Sequence, residues 1–348
     1  MRLLICTSTV DKNHTNLGFF HEWVRALANE AGEAAVIMQF LGNHSLPDNV
    51  HLFSCGKEKG FGKLRRTLRF FKFLARELPI SDAVFVHMSP LYAILTWPLV
   101  VWHGKPMYLW YVHKNVNWQL RLAHIFCDKV FSVSPESFRI RSPKVIFVGH
   151  GIDTSRFIPA PEMLATVPCT MIRTAGRISR AKRLELLIDA AVLLKDRAQS
   201  EWCIEIIGDP LDEDGALYFE ELKNHIAASP MREKIKLRQG LTHEKMPAVY
   251  QSTHIFVNLS ETGSVDKAVL EAMSTGASVV SANEAFFNIL PPDSVVRERT
   301  PAAVARALLA VWYESRPRLD LREIVVVGHS FPRLIKTIVN EIKLGATH

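Results

Sequence analysis

Short apolar runs alternate with helical patterns along nearly all of this chain, and the alternation stops once and then restarts. Apolar runs at 2–6, 34–38, 83–87, 107–112, 129–133 and 144–148 read as strands, with helical spacing between them at 17–31, 63–78, 91–102 and 118–126. Strands separated by helices pair in parallel, because parallel neighbours need a crossover connection, and such a sheet is covered by helices on both faces. The rhythm breaks at 149–161, where Gly149, Gly151, Pro159 and Pro161 stand without a periodic apolar run. It resumes with strands at 170–175, 203–207, 235–239, 254–258 and 278–281 and helices at 183–195, 216–227, 244–250 and 266–275. The stretch 302–343 is helical by spacing, with a break at Phe331-Pro332.

A chain of 348 residues is long for one core and suits two. The expectation is an α/β protein of two Rossmann-like domains facing a central cleft, 1–150 and 151–348, with the C-terminal helix returning to the N-terminal domain. Hydrophobic residues at 48% and charged residues at 22% exclude a disordered or collagen-like chain. Five scattered cysteines without a CxxC pair argue for free thiols in a reducing compartment. The first apolar run, of about five residues, is too short for a signal-peptide core. The longest, 91–102, is interrupted by Thr96 and Pro98 and falls short of the roughly 20 residues that span a bilayer. A cytoplasmic protein is expected, with peripheral attachment to the inner face of the membrane left open.

The formal charge of +7 is concentrated: between Lys57 and Arg76 eight basic residues accompany one acid, Glu58. Leu64, Leu68, Phe71 and Leu74 or Ala75 recur there at helical spacing, so the stretch reads as an amphipathic helix with a cationic outer face and Phe61, Phe70 and Phe73 near it. Three readings stay open for 57–76: a solvated face, a surface for anionic lipid headgroups, and a nucleic-acid patch. No recognised nucleic-acid motif supports the last.

The stretch 260–276 runs from an apolar strand through a small-residue turn into a helix. Gly263 and Ser264 leave backbone N–H groups open at the positive end of a helix dipole, which suits phosphate oxygens, and Glu271 lies two turns further on, where it can accept from ribose hydroxyls. An ordinary strand–turn–helix with a solvated Glu is the competing reading. Gly176-Arg-Ile-Ser-Arg-Ala-Lys182 also leaves a strand through a glycine turn, with Ser179 as a candidate N-cap. Arg177 before the helix and Lys182 in its first turn place two cations against the dipole, which calls for an anion or open solvent. A diphosphate is such an anion. Asp212-Glu-Asp214 is a DxD triplet, but it most simply caps the helix that follows, and no metal site is assigned.

These segments, in this order, resemble the donor-binding half of the retaining glycosyltransferases of family 4 (glycosyl transferases group 1), which have the GT-B fold. The likeness rests on Gly176–Lys182, Asn258-Leu-Ser-Glu-Thr-Gly-Ser264 and Leu270-Glu-Ala-Met-Ser-Thr-Gly276, supported by Val148-Gly-His-Gly-Ile-Asp153 with Phe157, Ile206-Ile-Gly-Asp209 and Gly240-Leu-Thr-His-Glu244. The resemblance implies a nucleoside-diphosphate sugar donor, UDP- or GDP-linked, with no further cofactor or metal. It implies that Arg177 and Lys182 hold the diphosphate and that Glu271 binds the ribose. Gly176 belongs to the phosphate turn, backbone amides of Gly263, Ser264 and Val265 face the sugar or distal phosphate, and Gly208, Gln239, Gly240 and Leu241 border the base. His113, just past an apolar strand of the first half, would orient the donor sugar or the acceptor hydroxyl, with His87 a weaker candidate and the loop 8–18 carrying acceptor contacts. Where the family commonly has a second Glu, eight positions before Glu271, this chain has Gly263; either Asp266 or Glu261 takes over, or the sugar is held differently. The implied acceptor is a glycan or a lipid-linked sugar. The rival from another class is a non-catalytic GT-B-like protein that binds a nucleotide or a polysaccharide.

Overall fold

Each apolar run read as a strand pairs in parallel with a neighbour in the computed structural model, which describes residues 1–14, 17–113, 115–198, 200–261, 263–312 and 316–346. The chain divides into two compact units, Met1–Gly151 with Pro332–His348, and Ile152–Phe331.

In the first unit, β1 (Arg2–Val10), β2 (Glu33–Leu41), β3 (Val50–Ser54), β4 (Ala83–His87), β5 (Met107–Trp110), β6 (Lys129–Ser132) and β7 (Val145–Phe147) form one sheet in the order β3-β2-β1-β4-β5-β6-β7. Register is fixed by pairs such as Ile5↔Val36, Ile5↔Phe85 and Phe85↔Tyr108. All five residues of β4 are buried, the pattern of a strand covered on both faces. Helices α1 (Phe19–Ala31), α2 (Lys63–Glu77), α3 (Pro90–Trp102) and α4 (Trp118–Phe126) provide the crossovers. Phe70 and Leu74 of α2, Ala93 and Val100 of α3, and Leu120 and Ala123 of α4 join one core with β1, β2, β4 and β5. Asn117 caps α4 by accepting from the Leu120 N–H at 2.8 Å.

Four expectations are corrected in this unit. The first strand continues to Val10, so the loop after it starts at Asp11. Strand β3 was not expected: all five of its residues are only half-buried at the sheet edge, and His51 interrupts its apolar pattern. The apolar side of α2 is half as expected: Leu74 faces the core and Phe71 packs against it, but Leu64 and Leu68 stay in solvent and Phe70 is buried instead. The fourth concerns only the bounds of the second domain, expected at 151–348: the C-terminal helix returns to the first unit, as expected, so the second unit ends at Phe331. Helix α12 (Phe331–Ala346) follows the expected break, buries Leu334, Ile338 and Ile342, and ties on through Lys129 to Glu341 and Lys343 to the Glu30 carbonyl.

The second unit holds β8 (Thr170–Ala175), β9 (Trp202–Ile207), β10 (Ile235–Arg238), β11 (Ile255–Asn258) and β12 (Ser278–Ser281) in the order β10-β9-β8-β11-β12. The direction of winding reverses between β8 and β11, which makes their carboxyl ends the topological switch point. Around the sheet lie α5 (Pro161–Ala165), α6 (Glu185–Leu194), α7 (Glu213–Ala228), α8 (Met246–Gln251), α9 (Lys267–Ser274), α10 (Pro301–Ala310) and α11 (Leu319–His329). Asp212 accepts from the Gly215 N–H at 2.8 Å, so the DxD triplet opens α7, three residues earlier than the spacing suggested. Beneath the sheet, Arg173 Nε donates to Glu205 Oε2 at 2.7 Å, and its Nη1 donates to the Val249 carbonyl, Ser252 and Thr253.

Candidate functional site

The loops after β8 and β11 meet at the switch point of the second unit. After β8 the chain turns at Gly176 (φ 143°), exposes Arg177, and forms a single 3-10 turn over Arg180–Lys182. Lys182 therefore does not stand in the first turn of α6, as its spacing implied: Arg183, at φ 49°, is left-handed and separates the turn from the helix. Ser179 occupies the N-cap position of that turn without a side-chain bond to it. The turn is braced by Arg180, which meets Glu221 at 2.6 Å and Asp214 at 3.3 Å, and by the Glu261 N–H, which donates to the Ala181 carbonyl at 2.9 Å.

Lys182 Nζ donates to Asp266 Oδ2 at 3.0 Å, and Asn258 Nδ2 donates to the same oxygen at 2.7 Å. That pair spans the two loops. Arg177, by contrast, forms no ion pair among the described residues. Of the two carboxylates near position 263, Asp266 is therefore in the site, while Glu261 turns outward toward Arg183 and Arg299, each at 3.8 Å.

Gly263 is buried and left-handed at φ 63°, a conformation a Glu would adopt only with strain. No described backbone carbonyl accepts from the N–H groups of Gly263, Ser264 or Val265. The loop is fixed from outside by Asn283 Nδ2, which donates to the Ser264 carbonyl at 2.8 Å, and by the buried Val265 side chain.

Glu271 is buried near the end of α9, only 6% exposed. His243 Nε2 lies 3.1 Å from its Oε1, and the buried Tyr250 hydroxyl bonds to the same carboxylate. Burial, reinforced by that carboxylate, pushes the Tyr250 phenol well above its usual range, so it stays a donor. Phe157 packs edge-on against His243 at 5.5 Å and holds the imidazole from the other side. His243 and Tyr250 were missed by sequence reasoning. The signal for His243 was its place four residues past Gln239, in the loop expected to border the base.

The remaining expected residues close the site at β9 and β10. Gly208 follows β9 so closely behind Gly176 that a Cβ on it would sit 1.9 Å from the Gly176 carbonyl oxygen, which only glycine permits. Asp209 accepts from the Gly240 N–H at 3.0 Å and joins this turn to exposed Gln239 and Gly240 and half-buried Leu241. The Ile178 N–H donates to the Asp209 carbonyl at 3.0 Å, so three strand-end loops are laced together. Thr174, Arg177, Ile178, Lys182 and Ile206 line a small recess among them.

Residues 170–289 match the family model described as glycosyl transferases group 1. This stretch is a glycosyl transferases group 1 domain. It contains every second-unit residue that the sequence pointed to, from Gly176 to Glu271, while Phe157 lies before it. Mannosylfructose-phosphate synthase of Agrobacterium fabrum is 21% identical over 52% of this chain and 46% of its own length. A phosphatidylinositol N-acetylglucosaminyltransferase subunit of Arabidopsis thaliana is 27% identical over 57% of this chain and 44% of its own. The chain thus spans about half the length of the curated relatives it matches. Among solved structures, the Anabaena HepE protein in complex with UDP and glucose superposes with a TM-score of 0.74 at 14% identity, covering 99% of both chains. At that identity the likeness is one of fold, and the fold is GT-B: two α/β units with parallel sheets, the second carrying the group 1 domain.

Outside that domain, His113 stands three residues past β5 in the first unit, exposed, and its Nδ1 accepts from the Asn115 N–H at 3.1 Å. His87 has a packing role instead: it is buried, stacks on Phe20 with ring centroids 3.6 Å apart, and meets Thr7 Oγ1 at 3.3 Å. Of the loop expected at 8–18, residues 15 and 16 lie outside the described residues.

Proposed function

We propose that this chain is a retaining glycosyltransferase of family 4 that moves a sugar from a nucleoside-diphosphate donor to an acceptor hydroxyl of a glycan or a lipid-linked sugar. The observation that carries the reading is the Lys182–Asp266 contact at the switch point, with exposed Arg177 beside it and buried Glu271 five residues on, in the helix that Asp266 opens. In this reading Arg177 and Lys182 neutralise the leaving diphosphate, and the N–H groups of Gly263, Ser264 and Val265 bind the sugar or distal phosphate. Glu271 takes the ribose hydroxyls in exchange for His243. Gly208, Gln239, Gly240 and Leu241 border the base, and Asp266 supplies the carboxylate that position 263 lacks. His113 orients the donor sugar or the acceptor.

Catalysis then rests on positioning and on charge stabilisation of the leaving group, and the departing phosphate takes the acceptor proton on the face it leaves. No metal ion is required, and activity is expected to survive chelation. The HepE protein, solved with UDP and glucose bound, supports a uridine nucleotide as the first donor to try. A cytoplasmic site of action agrees with the free thiols Cys6, Cys55 and Cys127 in the core.

A thermal-shift panel of nucleoside diphosphates tests the reading, since a ligand at 100 times its Kd stabilises by about 2.7 kcal/mol. Stabilisation by UDP or GDP is expected, and indifference to every nucleoside diphosphate refutes the assignment. The rival, a binding protein without catalysis, is favoured by Gly263 where a carboxylate is common. Nucleotide stabilisation without transfer or donor hydrolysis would establish it.

A further inference from the structure

Helix α2 turns two leucines to solvent on one ridge: Leu64 is 76% exposed and Leu68, one turn on, 63%. Further along the helix Phe70 and Leu74 lie in the core and Phe71 packs against it, which leaves the two leucines of the earlier turns uncovered. Such a ridge leaves apolar area in water at about 25 cal/mol per Å², and here it is set among cations. Lys57, Lys59, Lys63, Arg65 and Lys72 are all exposed, and among the described residues none of them forms an ion pair. Arg65 lies 3.6 Å over the Phe61 ring, which holds its charge beside the leucines.

Topology adds a second observation. Helices α2, α3 and α4 share one core on one face of the first sheet. Each runs opposite to the strands it connects, so their first turns gather at the carboxyl ends of those strands. Leu91, in the first turn of α3, is 44% exposed and Trp118, in the first turn of α4, is 65% exposed. Val101, Trp102 and Ile125 are exposed at the other ends of α3 and α4, but it is at the first-turn end that apolar exposure meets the unpaired cations of 57–72.

We propose that this end of the first unit docks on an anionic phospholipid bilayer. Leu64 and Leu68 enter the headgroup layer, Trp118 sits at its boundary, and the cations of 57–72 meet lipid phosphates. Charge decides the occupant, because a second copy would bring like charge against these five cations. The leucines between the cations give nucleic acid no counterpart, whereas acyl chains take them up. Only a corollary rests on the transferase reading: the acceptor is then a lipid-linked sugar presented at that surface.

The full chain is floated with vesicles of phosphatidylcholine, with and without phosphatidylglycerol. Binding is expected to require phosphatidylglycerol and to fall at least tenfold between about 0.05 and 0.5 M salt. K63E/R65E/K72E and L64S/L68S should each lower it about tenfold or more, with the melting temperature and the UDP-induced shift unchanged. Equal binding to phosphatidylcholine alone, insensitivity to salt, tighter binding of an oligonucleotide than of vesicles, or a dimer abolished by L64S/L68S each overturns the proposal. Vesicle binding without any UDP effect removes the transferase reading and leaves the surface; the converse removes the surface alone.

Discussion

Lys182 Nζ rests 3.0 Å from Asp266 Oδ2, joining residues 84 positions apart across the point where the strand order of the second sheet reverses. Asn258 shares the same carboxylate oxygen, which fixes the ammonium group in place, and in the proposed transferase its worth is that of a preorganised charge.

Lys182→Ala should therefore lower kcat/KM by roughly a hundredfold or more, and Arg177→Ala by a similar factor, the scale of one lost transition-state contact. Steady-state kinetics with UDP- and GDP-sugars measure this. Near-normal turnover in both variants would remove these two residues from the diphosphate site.

Gly208→Ala places a methyl 1.9 Å from the Gly176 carbonyl oxygen, and backbone has to move to relieve it. A loss of about 1–3 kcal/mol or more is expected in urea denaturation, together with weaker nucleotide binding. Gly62→Ala is the matched control: nothing lies within 4 Å of its added Cβ, and its φ of −63° suits alanine. A Gly208→Ala protein as stable as Gly62→Ala would contradict the close approach.

Glu205 and Arg173 form a buried pair, their side chains 10% and 8% exposed. Burial raises the Glu205 carboxyl, but Arg173, helped by Arg238, outweighs it and holds the group below its ordinary value. Glu205→Ala strands the guanidinium and should cost about 3–5 kcal/mol, whereas R173M/E205L should recover most of that. Chemical denaturation of the single and double variants decides it, and equal losses in both would refute the explanation.

His254 and His329 carry a pH dependence of opposite origin to that of a salt bridge. Burial lowers both imidazoles from 6.5 to about 4, assisted at His254 by Arg316 and then Arg173. His254 Nδ1 also accepts from the Met171 N–H at 3.1 Å, which requires that nitrogen unprotonated. The unfolded chain takes up protons near pH 6.5 that the folded chain refuses until about pH 4, so stability is complete above pH 6.5 and declines between the two. Melting temperatures at stepped pH should show that decline, less steep in His254→Asn, whose amide oxygen can accept the same bond. An unchanged slope in the variant would mean that His254 is not the titrating group.

What could be read from the sequence follows the range of each interaction. Strands such as Ala83–His87 and Ile255–Asn258 are visible because burial on both faces leaves an unbroken apolar run. Val50–Ser54 escapes because an edge strand buries little and tolerates His51. The spacing of α2 gave the helix but not the extent of its inward side, since apolar residues lie all round it and the core contacts come from Phe70 to Leu74, leaving Leu64 and Leu68 in solvent. At the site, the turns at Gly176 and Gly263 are marked by their glycines, but Arg183 sets Lys182 apart from α6 in a way its spacing does not show. The choice of Asp266 over Glu261, and the hold of His243 and Tyr250 on Glu271, depend on loops brought together by strand order. No local pattern encodes them.

The return of α12 to the first unit has a consequence for biosynthesis. The group 1 domain lies within one continuous stretch of chain, Ile152–Phe331, whereas the first unit waits for a helix encoded after it. During translation the second unit can close its core while the first still shows the bare patch that Leu334, Ile338 and Ile342 will cover. The unit made first is the one finished last, and a nascent chain halted near residue 331 presents that patch to chaperones.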